Sequence, residues 1–333
     1  MENYASQWRL YEVDRSTWAD SGLVGGFLSA RVTRDTGSML ESATMEVDGS
    51  FPSGERYLRL AMVSDSNGTR GRVDVATLWC SFNSGEWNGT KTNIECRSVL
   101  YPAYAKIVRD GFFCPAGTDA VRWCERELQS VLHAPVSSYG SFELSAPICF
   151  DLDSRLIDDV WAVLRAGNYC ISVDGYGRVS LMPLPSEPTF KVSKRNADML
   201  MNGGKSTQDW SKVPNTYRAR LNGMSGEAVN DDPDSPVSTV SRGFAVDYVD
   251  NSPALANGET LERYAARRLE ELSTVGVEAV YTREWVDGVG PYSLVEIEYG
   301  DAGTYMVTSQ QVTCKKGIEV TEKAEKGVML WTR

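Results

Sequence analysis

Polar and apolar side chains alternate with a period of two along much of the first hundred residues. Ser38-Met39-Leu40-Glu41-Ser42-Ala43-Thr44-Met45-Glu46-Val47 is the clearest run, and such alternation belongs to a strand with one buried face. Residues 27–33 and 56–63 behave similarly. The turn pairs Asn67-Gly68 and Asn88-Gly89 lead into further strands over 72–82 and 91–97. Short strands joined by such turns predict a sandwich or small barrel over residues 1–100.

The period changes after residue 101. Thr118 is a candidate N-cap, and Val121, Cys124, Leu128, Val131 and Leu132 fall on one helical stripe that Pro135 ends. A second helix begins at Asp153 or Ser154 and carries Leu156, Ile157, Val160, Trp161 and Leu164 on one face. Gly167 stands where a left-handed residue would end it. A hairpin follows, Tyr169–Val173 and Arg178–Met182 around Asp174-Gly175-Tyr176-Gly177. Pro183, Pro185 and Pro188 mark a boundary. Thr216–Leu221 reads as a central strand of a second β unit, and residues 225–240 as an exposed loop. Leu261, Tyr264, Ala265, Arg268, Leu269 and Leu272 share the face of a third helix, with Glu259 in its first turn. Strands at 293–299, 304–309 and 318–321 close the chain.

The predicted fold class is therefore mainly β with α+β insertions: two β-barrel-like domains, a two-helix α/β domain and an inserted helix. The expected boundaries are 1–100 for the first barrel, 101–186 for the α/β domain, 187–250 with 284–333 for the second barrel, and 251–283 for the helical insertion.

Composition changes this picture little. Of the 333 residues, 42% are hydrophobic and 24% charged, ordinary values for chains with large cores. No window approaches the roughly 20 apolar residues of a membrane span. The first residues lack a basic-then-apolar leader, so assembly in a cytoplasm is expected. The seven cysteines include no CxxC pair and read as small buried thiols. Asn67-Gly68-Thr69 and Asn88-Gly89-Thr90 match the glycosylation pattern but read as turns. The net charge of −11, from 34 basic and 45 acidic residues, argues against a surface that grips phosphates.

Candidate chemistry is sparse. Asn202-Gly203-Gly204-Lys205-Ser206-Thr207 ends like a phosphate loop, but Met199 stands where the first glycine is required, so a flexible glycine loop is expected. The single histidine, His133, cannot build a His-rich metal site, and no Gly-x-Ser-x-Gly elbow accompanies it. Asp158-Asp159 reads as a solvated helix face rather than a carboxylate pair across a cleft. The acidic stretch 231–234 matches no calcium-loop spacing. Nine tryptophans are scattered: Trp79, Trp123 and Trp161 read as packing residues, and Trp87 as a candidate interface residue. No catalytic, cofactor-binding or metal-binding residue is assigned, and the chain is expected not to be an enzyme.

The order of elements resembles the bacteriophage tail hub family, which includes baseplate hubs and the N-terminal hub region of tail-associated lysins. Ser98-Val99-Leu100-Tyr101-Pro102 through Gly111-Phe112-Phe113-Cys114-Pro115-Ala116-Gly117-Thr118-Asp119 carries part of the likeness. The rest lies in Val160-Trp161-Ala162-Val163-Leu164-Arg165-Ala166-Gly167 with its hairpin, and in Glu259-Thr260-Leu261-Glu262-Arg263-Tyr264-Ala265. The resemblance implies a homotrimer with two similar barrels per chain, matching threefold tip components to a sixfold tail tube at the tail tip of the virion. It implies a distal tail protein ring, the tail tube, the tape measure protein and a tip fibre or central spike as partners. DNA would pass through the lumen without specific binding. With the sequence ending at Trp331-Thr332-Arg333, the hydrolase or fibre domain of lysin-type members is not expected. A carbohydrate- or receptor-binding tip protein and a distal tail protein are the alternatives.

Overall fold

A computed structural model describes residues 5–37, 40–66, 69–82, 89–206, 210–256 and 258–329. Strand takes 47% of the chain and helix 15%, so the fold is mainly β with α insertions.

The first β unit holds β1 (Ala5–Val13), β2 (Asp20–Val24), β3 (Phe27–Asp35), β4 (Glu41–Asp48), β5 (Gly54–Ser66), β6 (Thr69–Phe82) and β7 (Lys91–Ser98). Its sheet runs β3-β4-β7-β6-β5-β1-β2. The sequence alternation is visible as burial: Ala43, Met45 and Val47 of β4 face inward, as do Ile94 and Cys96 of β7. Leu10, Val32, Leu58, Leu60, Val75 and Leu78 join them, so the sheet curls around one apolar core. Each Val, Leu, Ile or Met side chain among them contributes roughly 1.5–3 kcal/mol. The ladder between β5 and β6 reaches the pair Ser66–Thr69. Met39, the turn residues Asn67-Gly68, and Asn88 lie outside the described residues.

The insert comprises α1 (Tyr101–Ala105), β8 (Phe113–Cys114), α2 (Ala120–Gln129), β9 (Val136–Ser138), β10 (Ile148–Cys149), α3 (Leu156–Ala166), β11 (Tyr169–Val173) and β12 (Val179–Pro183). The apolar faces of α2 and α3 pack together and onto the β11-β12-β9 sheet. Several local expectations shift here. The N-cap of α2 is Asp119, whose Oδ1 accepts from the amides of Val121 and Arg122, while Thr118 turns its hydroxyl to the Pro115 carbonyl at 2.7 Å. That helix ends at Gln129, well before Pro135, so Val131 and Leu132 pack from a following turn. Gly167 has φ −104°, and the left-handed residue is Asn168. Gly167 is needed for space instead, since a Cβ there would overlap the Phe142 ring.

Asp159 departs from the expected solvated face. It is buried in the first turn of α3, accepts from the Ser154 hydroxyl at 2.9 Å, and burial pushes its carboxyl up to about 6. The folded chain thus holds this proton more tightly than the unfolded one. Stability is fully present below the ordinary carboxyl range and falls as pH rises from about 4 to about 6. Asp159→Asn keeps an acceptor for Ser154. Thermal midpoints measured from pH 4 to 7 should lose that slope in the variant, with a gain of roughly 1–2 kcal/mol at pH 7.

The second β unit is built from β13 (Phe190–Val192) and β14 (Ala197–Ser206), and a small α/β unit interrupts it. That unit contains β15 (Thr216–Leu221), β16 (Met224–Val229), α4 (Thr239–Arg242), β17 (Asp247–Asp250) and α5 (Leu261–Leu272). The second β unit resumes with β18 (Thr274–Glu284), β19 (Leu294–Ile297), β20 (Gly303–Cys314) and β21 (Ile318–Met329). The structure revises two assignments. Thr216–Leu221 is a central strand, but of the separate sheet β16-β15-β17 under α5. Residues 274–283, expected within the helical insertion, form most of β18, which pairs β14 and β21. The insertion therefore starts near 210 and ends at 273. Alternation specifies that a segment is a strand with one buried face, not which sheet receives it.

The two β units share one continuous 13-stranded sheet, β14-β18-β21-β20-β3-β4-β7-β6-β5-β1-β2, with β19 on β20 and β13 on β19. One edge of β20 pairs β21. Its other edge is divided: Gly303–Met306 takes β19, and Ser309–Cys314 takes β3. Around a register shift at Val307/Ser309, Tyr305 and Val307 enter the second core while Val312 and Cys314 enter the first. β21 divides likewise, with Val320 in the first core and Ala324 in the second.

A buried polar chain runs along this seam. Arg34 Nε donates to Glu41 Oε1 at 2.8 Å, and its Nη1 to Gln310 Oε1 at 2.9 Å. Gln310 Nε2 donates to Glu322 Oε1 at 2.7 Å, and Arg283 grips both Glu322 oxygens at 2.8 and 2.6 Å.

Candidate functional site

The residues that could suggest chemistry are not brought together. His133 is exposed beyond the end of α2, and its ring centroid lies 6.0 Å from that of Tyr57. Asn202–Ser206 is part of strand β14 rather than a flexible loop; Thr207 lies outside the described residues. The expected loop at 225–240 is instead β16 followed by a closed turn. There Asn230, Ser235 and Ser238 are buried, Asn230 Nδ2 donates to Ser235 Oγ at 2.9 Å, and Asp232 Oδ1 accepts from the Asp234 amide. Among the described residues no three His, Cys, Asp or Glu side chains converge as a metal site, and no helix is long and apolar enough to cross a membrane.

All seven cysteines are free thiols. Six are buried and Cys149 is exposed, which departs from the expectation for that residue. Burial pushes the Cys114 and Cys314 thiols up to about 12, the opposite of what a nucleophile needs. Trp123 and Trp161 are buried in the insert core, and Trp79 stacks on Tyr101 with centroids 4.3 Å apart. Trp87 lies outside the described residues.

What stands out instead is surface. Large exposed apolar side chains gather on the small α/β unit: Trp210, Met224, Val240, Phe244, Tyr248 and Val249. The local folding explains why. On the α5 side of β16-β15-β17, Tyr217 and Ala219 are buried against Leu261, Ala265 and Leu269. Tyr217 and Tyr264 both donate to Asp250 Oδ2, at 2.9 and 2.8 Å. Burial, together with those bonds to the carboxylate, pushes the Tyr217 phenol up to about 12 and the Tyr264 phenol higher still. Thr260 caps α5 by accepting the Arg263 amide, and Glu259, lying before the cap rather than in the first turn, holds Arg267 in a bidentate pair. With one face sealed, register places Arg218, Glu227, Val229, Asp247 and Val249 on the other. Arg218 sits between Glu227 at 3.3 Å and Asp247 at 4.0 Å. Among the described residues no helix covers this second face, where the exposed Val229 and Val249 accompany the paired charges, a make-up that suits a protein-binding surface. Sequence reading missed these residues because Phe244, Tyr248 and Val249 stand in a polar, proline-bearing neighbourhood; the short apolar run Phe244-Ala245-Val246 was the available signal.

No family model matches the sequence, and no curated protein matches it. Solved structures do share the fold over nearly the full length. The tail protein from Neisseria meningitidis MC58 superposes with a TM-score of 0.62 at 13% identity, over 96% of each chain. The 43 kDa tail protein of prophage MuSo2 from Shewanella oneidensis gives 0.59 at 10% identity, over 98% of this chain and 97% of that one. Prophage tail protein gp18 from Listeria monocytogenes EGD-e gives 0.53 at 8% identity, over 95% and 94%. The fold expected from the element order is the fold these tail proteins have.

Proposed function

We propose that this chain, which has the fold of phage tail proteins, is a structural component of a virion: the trimeric hub at the distal end of a tail. The observation that carries this reading is the end-to-end likeness to tail proteins, which covers both β units and both insertions. Three chains with two β units each would present six similar faces to a sixfold tube and three to the tip, with the two units of a chain related by about 60° around the tail axis. In this reading the partition into two barrels, an α/β insert and a smaller insertion is the adaptor itself. The distal tail protein ring, tail tube and tape measure protein lie on one side, and tip fibre or spike on the other. The acidic chain, at −11, lets DNA pass without gripping it. It assembles in the host cytoplasm and carries out no hydrolysis.

Light scattering on the purified chain, with tail-tip neighbours added if needed, is expected to find three copies; a monomer inside the intact particle would exclude the hub. Val249→Asp and Phe244→Asp together should weaken association with a tail partner by at least roughly tenfold, with an unchanged thermal midpoint. Peptidoglycan should remain intact under the purified chain.

A further inference from the structure

Cys80 of β6 and Cys96 of β7 stand directly opposite one another, both in the first core, at 0% and 3% exposure. Their side chains are hydrogen-bonded, the Cys96 thiol donating to Cys80 Sγ. Opposite residues of an antiparallel pair have Cα atoms roughly 4.5–5.5 Å apart, within the span of about 4.4–6.8 Å that a disulfide bridges. The two sulfurs are therefore placed to be joined with little movement of the backbone.

The pair also sits where the first β unit is least tied together. Among the described residues β6 and β7 share three register pairs, Leu78–Ser98, Trp79–Arg97 and Cys80–Cys96. By contrast β6 has thirteen with β5, and β7 has seven with β4. Past the cysteines the sheet forks: Ser81 and Phe82 stay with β5, while residues 91–95 stay with β4. A bond between the thiols would fasten the fork at its apex.

The two thiols are not equivalent. Arg56 of β5 is the register partner of Cys80 on its other side. The hydrogen bond from Cys96 pulls the Cys80 thiol down, aided by Arg56 and opposed by burial, while Cys96 is pushed up. A thiol that ionises more readily, beside a second that can resolve its oxidised form, is the arrangement of a reversible oxidation site.

We propose that Cys80 and Cys96 form such a site, at which hydrogen peroxide closes an intrachain disulfide that locks β6 to β7. The Cys80 sulfur attacks one peroxide oxygen, the O–O bond breaks, and the departing oxygen leaves as water, leaving Cys80 a sulfenic acid. The Cys96 sulfur then attacks Cys80 Sγ, the S–O bond breaks, and the Cys96 proton leaves with the hydroxide as a second water. Two thiols are oxidised to one disulfide, and one peroxide is reduced to two waters. Both sulfurs are shielded, so the reaction proceeds through transient opening of the three-pair ladder and is slower than at the exposed Cys149. A reducing cytoplasm keeps the pair open, and an oxidising medium closes it. This chemistry is independent of the tail-hub reading.

The test uses the full chain carrying Cys149→Ser, which removes the exposed thiol. The folded protein is exposed to hydrogen peroxide, its remaining thiols are alkylated in denaturant, and the unreduced digest is mapped by mass spectrometry. The expected product is a peptide pair joined through Cys80 and Cys96, reversed by dithiothreitol and formed faster in urea below the unfolding transition. The linked chain should melt at least roughly 3 °C higher than the reduced one, since the bridge closes a loop of about 15 residues. Adding Cys96→Ser should leave Cys80 as a sulfenic acid that dimedone traps, whereas Cys80→Ser should leave little to trap. If either variant fails to fold, the map of the parent chain decides alone. Recovery of both residues as alkylated thiols after prolonged exposure would overturn the proposal. So would a disulfide joining another pair, such as the neighbouring Cys114 and Cys124, or a linked chain that melts no higher than the reduced one.

Discussion

Arg283→Ala is expected to destabilise the chain by about 3–5 kcal/mol, the usual penalty for leaving one member of a buried ion pair without its partner. Both side chains of the Arg283–Glu322 pair are 0% exposed, so solvent cannot take over from the missing guanidinium. The Glu322 carboxylate would keep the Gln310 amide at 2.7 Å, and Gln310 would remain tied to Arg34 and to the Val289 carbonyl. The loss therefore falls on the seam between the two β cores rather than on one loop. Arg283→Met combined with Glu322→Leu removes both charges and should recover most of the stability, because paired apolar replacements of buried ion pairs are often close to neutral. Urea denaturation of the wild type, the single variants and the double variant separates the pair's coupling from simple loss of packing. A cost below about 1 kcal/mol for the single change would mean that water reaches the seam.

The second large effect is expected at Gly175. A Cβ at this position would overlap the backbone of Asp74 in β6, which cannot move aside as a side chain can. The hairpin tip is held by a dense set of bonds. Thr77 Oγ1 donates to the Gly175 carbonyl at 3.0 Å, and Trp18 Nε1 and Arg59 Nη2 donate to the Tyr176 carbonyl at 3.0 and 3.1 Å. The Arg59 guanidinium lies 3.5 Å from the centroid of the Tyr176 ring and is itself fully buried. Gly175→Ala must lift the tip and break several of these together, for a cost of roughly 2–4 kcal/mol. Hydrogen exchange should rise over 169–183 and around Trp18 while β3, β4 and β7 stay protected. Uniform loss of protection would show that insert and first β unit unfold as one.

How much of this could be read from the sequence depends on which physical signal each feature left. Alternation reveals β3, β4 and β7, because each has one buried face; β5 and β6 are strands by the same reading, but their middles are buried on both faces, and the helical stripe reveals α2, α3 and α5. Partner choice leaves no local trace, so Thr216–Leu221 was placed in the wrong sheet and β18 was absorbed into a helical segment. The seam is hidden for a related reason. Arg34, Glu41, Arg283 and Glu322 stand at inward positions, in step with Val32, Ala43, Tyr281 and Val320, but sequence alone assigns charged side chains to solvent. Asp159 misled in the same way. The exposed Phe244 and Val249 were obscured by their polar neighbours.

The division of β20 between two partners also sets a timetable for synthesis. Arg34 of β3 and Gln310 of β20 are 276 positions apart. At the usual 5–20 residues per second, the ribosome delivers the partner of β3 roughly 14–55 s after β3 itself. Throughout that interval the nascent first β unit carries an open strand edge of the kind that recruits other chains. The exposed charge of Arg31 on β3 discourages such pairing while the chain grows, and the unit closes only once β20 has left the exit tunnel. Premature termination before residue 309 would accordingly yield an aggregating fragment rather than a smaller folded protein.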